Sequence, residues 1–204
     1  MYIDTHIHLS TLNHTDLKSV FKDCMVHKLD TLFIPGTSLE DSIVNIKIAH
    51  DYNQNILRIL PFVGLHPFNA NMQILEKLII AIDNYLLSKS IVIGNEIFSS
   101  DINIMGIGEI GLDKRCEIPL NVQIDVLNTQ LDWALRLKKP VLIHCVGAHN
   151  ELIRLLKSRK INPKGIIHAA SFYKETAKIY YDLGFKLGLG GICLNHQSKK
   201  FGLQ

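Results

Sequence analysis

The sequence predicts an α/β fold, a parallel (β/α) barrel of the TIM-like kind with about seven βα units, and three observations point to it. Apolar runs of strand length alternate with amphipathic stretches of helix length along the 204-residue chain. That order gives a parallel sheet with helical crossovers. Several of the runs end in a histidine or a glutamate, and a barrel gathers the C-terminal ends of its strands on one face. No glycine-rich dinucleotide fingerprint follows the first run; a histidine pair does, which favours a barrel over an open doubly wound sheet.

The elements read as follows. Tyr2–Thr5 is a strand, and Thr15–Leu29 a helix with Thr15 as its N-cap. Thr31–Pro35, closed by Gly36, is a strand of the buried type. Ser38 opens the second helix, with Asp41 three residues on as a variant of the capping box. Ile59–Val63 is the third strand and Met72–Ser88 the third helix. Ile91–Ile93 and Glu96–Phe98 read as an inserted hairpin around Gly94-Asn95. Ile104–Ile107 is the fourth barrel strand, and the long amphipathic helix Val122–Leu137 follows it. Val141–Ile143 is paired with a helix over Ala148–Ser158, and Gly165–Ile167 with one over Lys174–Leu183. Phe185–Leu189 is a seventh strand. Neither a low-complexity linker nor a composition break divides the chain, so residues 1–204 are expected to form one domain.

Composition narrows the function class. The hydrophobic share of 47% and charged share of 20% are those of a folded globular protein, not a disordered one. A formal charge of +3 permits an anionic partner without demanding one. Cys24, Cys116, Cys145 and Cys193 are widely spaced with no CxxC pair, which speaks for reduced thiols and against a zinc ribbon or a disulfide framework. The N-terminus lacks a signal-peptide pattern, and the most apolar stretch, Leu75 to Ile93, is interrupted by Glu76, Lys77, Asp83 and Lys89. A cytoplasmic protein that neither crosses nor binds a membrane is therefore expected.

The chemistry lies at the strand ends. In an extended chain His6 and His8 face the same side, a ready half-site for a divalent ion. Later units add His66, Glu109, His144 and His168. Each alone reads as an ordinary structural residue, as His14, His27, His50 and His149 do; the joint pattern in consecutive units is what points to a metal centre. Imidazole and carboxylate together suit zinc, manganese or iron, and a carboxylate such as Glu109 can bridge two ions.

Five segments carry a family likeness: Tyr2–His8, Gly64-Leu65-His66-Pro67, Gly108–Asp113, Pro140–Cys145 and Gly184–Gly191. Together they resemble the TatD-type metal-dependent deoxyribonucleases, with GEIGLD after a strand as the most specific element. The resemblance implies an amidohydrolase-like barrel that hydrolyses DNA phosphodiester bonds with a metal-activated water and two divalent ions (Mg, Mn or Zn). It implies that His6 and His8 hold one ion, that Glu109 bridges both, and that His144 and His168 hold the other. His66 would lie by the substrate phosphate, so Glu109 and His66 are the expected catalytic residues.

The chain departs from the family in three places. Val146-Gly147-Ala148 stands where a basic residue usually follows the fifth-strand histidine, and Ala169-Ala170-Ser171-Phe172 replaces the usual turn after the sixth. Family members also carry an aspartate on an eighth strand, whereas no Asp or Glu occurs from Leu183 to Gln204. The expectation is thus a barrel one unit short, with Asn195 or His196 as weak substitutes for the missing carboxylate. Two other functions stay open: a related hydrolase of an amide, lactone or nucleobase ring, and a catalytically impaired homologue that binds metal or nucleic acid.

Overall fold

The computed structural model describes residues 2–53, 57–93 and 96–191. Seven parallel strands form one curled sheet: β1 (Tyr2–Asp4), β2 (Leu29–Pro35), β3 (Arg58–Val63), β6 (Gly106–Asp113), β7 (Val141–Val146), β8 (Gly165–Ile167) and β9 (Phe185–Leu187), neighbours in that order. An antiparallel hairpin, β4 (Ser90–Ile93) with β5 (Glu96–Ser99), stands apart from the sheet. Its Gly94-Asn95 turn lies outside the described residues. The helices are α1 (His14–Val26), α2 (Leu39–Tyr52), α3 (Met72–Ser88), α4 (Leu120–Leu137), α5 (His149–Ser158) and α6 (Lys174–Asp182). Among the described residues none is long and apolar enough to cross a membrane.

The larger core joins Val63, Ile107, Ile110 and Ile143 of the sheet to Leu75, Leu78 and Ile82 of α3 and to Leu127 and Leu131 of α4. A second cluster, with Leu32, Ile34 and Ile59, packs beneath α1 and α2. All eight residues of β6 are buried, as a central parallel strand covered on both faces requires.

Local chemistry moves several boundaries from those the sequence suggests. Helix α1 is capped by Asn13, not Thr15, because the Asn13 carboxamide accepts the N–H groups of Thr15 and Asp16. It stops at Val26, and Lys28 turns the chain at φ 60° so that β2 begins at Leu29. Ser38 caps α2 as expected, accepting the Asp41 N–H at 3.2 Å. Strands β6 and β7 run further than Ile107 and Ile143, because Gly111 pairs with His144 and Asp113 with Val146. The GEIGLD stretch is therefore strand, not the loop beyond it. Strand β9 ends at Leu187, two residues early.

Two buried glutamines tie the site strands to α4. Strands β3 and β6 pair only at Phe62–Gly106 and Val63–Ile107. Past that point Gln130 accepts the Leu65 N–H at 2.8 Å and donates to the Leu65 carbonyl at 3.1 Å. Gln123 accepts the Asp113 N–H at 2.8 Å and donates to the Asp113 carbonyl at 3.1 Å. Seven residues apart, the two amides share the buried stripe of α4 and replace the missing ladder partners of both chains.

Candidate metal centre

Strands β1, β6, β7 and β8 end on one face, and the candidate residues leave from there. The Asp4 carboxylate accepts the His6 N–H at 2.9 Å, and the Ile7 N–H donates to Phe33 of β2 at 3.1 Å. The chain after β1 so continues along its neighbour, and His6 and His8 emerge together with their Nε2 atoms 3.0 Å apart. Glu109 sits at a bulge, where the β6–β7 register shifts between Gly108 and Ile110. Its N–H turns from the ladder to the Gly36 carbonyl at 2.7 Å. A bulge re-aims a side chain, here into the pocket. Gly64 permits the approach, since a Cβ there would lie 2.9 Å from the Gly108 carbonyl carbon.

The Glu109 carboxylate, 3% exposed, is shared between two pairs of histidines. Its Oε2 lies 3.3 Å from Nε2 of both His6 and His8. Its Oε1 lies 2.8 Å from His144 Nδ1 and 2.7 Å from His168 Nε2, and those two nitrogens are 3.0 Å apart. His66 Nε2 stands off at 3.7 Å. All six residues predicted from the sequence thus meet around one pocket of about 410 Å³. Grouped by distance alone, the donors form the triplets His6–Glu109–His168 and His66–Glu109–His144.

Hydrogen bonds decide which ring nitrogens are free. The Phe68 N–H donates to His66 Nδ1 at 3.2 Å, so neutral His66 carries its proton on Nε2 and presents a donor to the pocket. That chemistry suits an oxyanion better than a cation. His144 is the reverse: Nε2 donates to Asp113 Oδ2 at 2.9 Å, leaving the Nδ1 lone pair toward Glu109. Asp113 is in turn clamped by Arg115, through Nε at 3.1 Å and Nη2 at 2.7 Å.

Charge follows the same pattern. Burial raises the Glu109 pKa, but hydrogen bonds from His144, His168, His6 and His8, when their facing nitrogens carry protons, outweigh it and hold the group well below the usual carboxylate range; a cation would take the place of those protons. Asp113 is likewise raised by burial and lowered further by Arg115 and His144, with a net downward shift. The Glu109 hydrogen bond lifts His8; at His144 burial opposes the cation, but Glu109 and Asp113 prevail and lift it too. Burial lowers His168, and it pushes His66 down to about 4.

The donor set fits divalent cations. Within each pair, His6–His8 and His144–His168, two ring nitrogens 3.0 Å apart face the same carboxylate oxygen. Protons on both would aim N–H groups at each other, whereas two lone pairs aimed at one point are what an ion accepts.

The remaining described histidines have other partners. His14 meets Tyr52, His50 Nδ1 lies 3.1 Å from the Ser100 hydroxyl, and His149 Nδ1 lies 3.0 Å from the Tyr180 hydroxyl. His27 caps the end of α1. Asn195 and His196, named as substitutes for a carboxylate, lie outside the described residues, as does Cys193. Cys24, Cys116 and Cys145 are free thiols.

Sequence reasoning missed Asp113 and Arg115. The signal for Asp113 was present: four residues after Glu109 in an extended chain, it shares that residue's face.

The profile of the TatD related DNase family matches residues 3–202. The chain belongs to this family. Among TatD-related proteins it is 26% identical over 198 residues to an uncharacterized metal-dependent hydrolase of Buchnera aphidicola from Acyrthosiphon pisum, a match covering 93% of this chain and 70% of that protein. It is 26% identical over 165 residues to the 3'-5' ssDNA/RNA exonuclease TatD of Rahnella, covering 80% of this chain and 56% of that one. Among solved structures, the TatD homologue YJJV of Escherichia coli superposes with a TM-score of 0.74 at 25% identity, covering 94% of this chain and 69% of that one. Several of these relatives are named metal-dependent hydrolases, and the curled parallel half-barrel of the described residues, with its six α-helices, matches the TatD barrel architecture.

Proposed function

We propose that this chain is a deoxyribonuclease of the TatD kind, cleaving phosphodiester bonds of single-stranded DNA with two divalent ions held by its own histidines. The observation that carries the reading is the division of Glu109: one carboxylate oxygen faces His6 and His8, the other His144 and His168. A carboxylate so divided is suited to bridging. Divalent ions supply Lewis acidity, lowering the pKa of a water and neutralising charge on a phosphate.

The chain's own groups supply position. Asp113 keeps the His144 Nδ1 lone pair turned inward. Neutral His66 offers its Nε2 proton to a non-bridging phosphate oxygen. Buried Glu109 stays ionised, so the cluster retains a fixed negative centre for cations. DNA as the substrate draws support from the Rahnella relative, which is named for single-stranded DNA and RNA.

Degradation of a labelled single-stranded DNA with Mg²⁺, Mn²⁺ or Zn²⁺, against EDTA and a His6→Ala control, tests the proposal. Metal-dependent turnover well above the control is expected. Turnover equal to that of His6→Ala under every ion would leave a metal- or nucleic-acid-binding homologue as the better reading.

A further inference from the structure

Two rim features take no part in holding cations. Phe68 stands at the pocket mouth with 53% of its surface exposed. It is not a mobile loop residue, because it belongs to the 3-10 turn Pro67–Asn69, whose Asn69 carboxamide donates to the Thr37 carbonyl at 3.0 Å. Its ring meets His66 edge-on, 4.8 Å between centroids at 89°. Arg115 is the one Lys or Arg side chain among the described residues lining the same pocket, and 64% of that side chain is exposed. Asp113 engages its Nε and Nη2, which orients the guanidinium plane, and Nη1 takes no part in that pair. The two rims touch, as Cys116 Sγ lies 3.5 Å from the Pro67 carbonyl it donates to.

One edge of the Phe68 ring packs against His66, but about half of its surface is left bare at the rim of a pocket that Arg115 also lines. That arrangement suits a nucleotide: rings stack on unpaired bases, and guanidinium groups bind phosphate. A pocket of about 410 Å³ has room for one such unit, near the lower end of ordinary ligand sites. A duplex keeps its bases paired and stacked, whereas an unpaired strand leaves its base faces free for such a ring. The Lys114 backbone N–H donates to the Val146 carbonyl at 3.0 Å, which puts Arg115 near the C-terminal end of β7, where Val146-Gly147-Ala148 supplies no basic side chain.

We infer that Phe68 and Arg115 form a nucleotide clamp, Phe68 stacking the unpaired terminal base of a single strand and Arg115 holding a phosphate beside it. The inference rests on the nucleic-acid reading above and adds which part of the strand is grasped.

The test is equilibrium binding, in EDTA so that nothing is cleaved. Fluorescence anisotropy compares a short oligothymidylate with one whose two terminal nucleotides lack their bases. The wild-type chain is expected to prefer the intact strand by about 5- to 150-fold, the span of one stacked base. Phe68→Ala abolishes the preference and Phe68→Trp retains it. Arg115→Gln lowers the slope of log affinity against log salt by about one, while Arg115→Lys keeps it. A preference that survives Phe68→Ala, an equal loss on both strands, a slope unmoved by Arg115→Gln, or no binding by the wild-type chain would overturn the clamp. Hydrolysis is scored separately: binding with end preference but no turnover sinks only the nuclease reading, and turnover without end preference sinks only the clamp.

Discussion

Asp113 is fully buried and reaches the centre only through His144, whose Nε2 it accepts at 2.9 Å. Asp113→Asn loses the charge that fixes the tautomer, and metal affinity should fall about 10- to 100-fold, the usual cost of a lost outer partner. Isothermal titration with Mn²⁺ measures it; an unchanged affinity would show that His144 orients itself. Glu109→Gln acts differently, because the amide cannot offer an anionic oxygen to both histidine pairs. Titration should then show one ion or none, against the two proposed for the wild type. At this scale the sequence was legible where alternation alone decides orientation, as for His6 and His8. It was silent on Arg115, whose direction comes from a two-pronged contact with Asp113 that no spacing announces.

Strand β6 carries the centre, and its glycines explain how. Gly111 has φ 151°, and a Cβ there would lie 1.8 Å from the His144 carbonyl oxygen. Gly111→Ala must therefore push β7 away from β6, at about 1–3 kcal/mol of stability in urea denaturation, with weaker metal binding alongside. Helix α4 offers a second test. Gln130→Leu leaves the Leu65 N–H and carbonyl without partners, costing about 1–3 kcal/mol; a variant as stable as the parent would mean that water replaces the amide. Element order and type were legible because strand-length and helix-length runs alternate cleanly. Boundaries at β6 and β7 were not, because reading them as ended at glycine or histidine ignores a ladder that persists to Asp113 and Val146. The glutamines on the buried stripe escaped notice for a similar reason: periodicity ranks them as interruptions, whereas the fold uses them as backbone partners.

The molecule as a whole should weaken in alkali. Burial raises Tyr85 and Tyr180 above the ordinary 10.0 and pushes the Cys145 thiol up to about 12 from 9.0. An unfolded chain releases these protons at the ordinary values while the folded chain keeps them, so unfolding gains with rising pH. Above pH 9, beyond the range in which the histidines titrate, urea midpoints should decline, first through the thiol and then through the phenols; a midpoint unchanged from pH 9 to pH 11 would contradict the burial of these groups.

The same scale gives the division of Glu109 a further meaning. The sheet's outer strands, β1 and β9, flank a cleft of about 640 Å³ lined by Tyr2, Phe33, Ile166, Leu187 and Leu189. β1 is only three residues long and, among the described residues, pairs with β2 alone, so it is weakly anchored by its own ladder. His6 and His8, just after it, converge with His168, just beyond β8, on a glutamate of the central strand. Cations seated there, as proposed, would act as a clasp across the curl, drawing the N-terminal edge toward the middle of the sheet. Hydrogen exchange should then slow most at Ile3 to Ile7 when Mn²⁺ is added, and least in β2 and β3, which are already locked. The residues that do the chemistry are, on this view, also the buckle that holds the hoop in its bend.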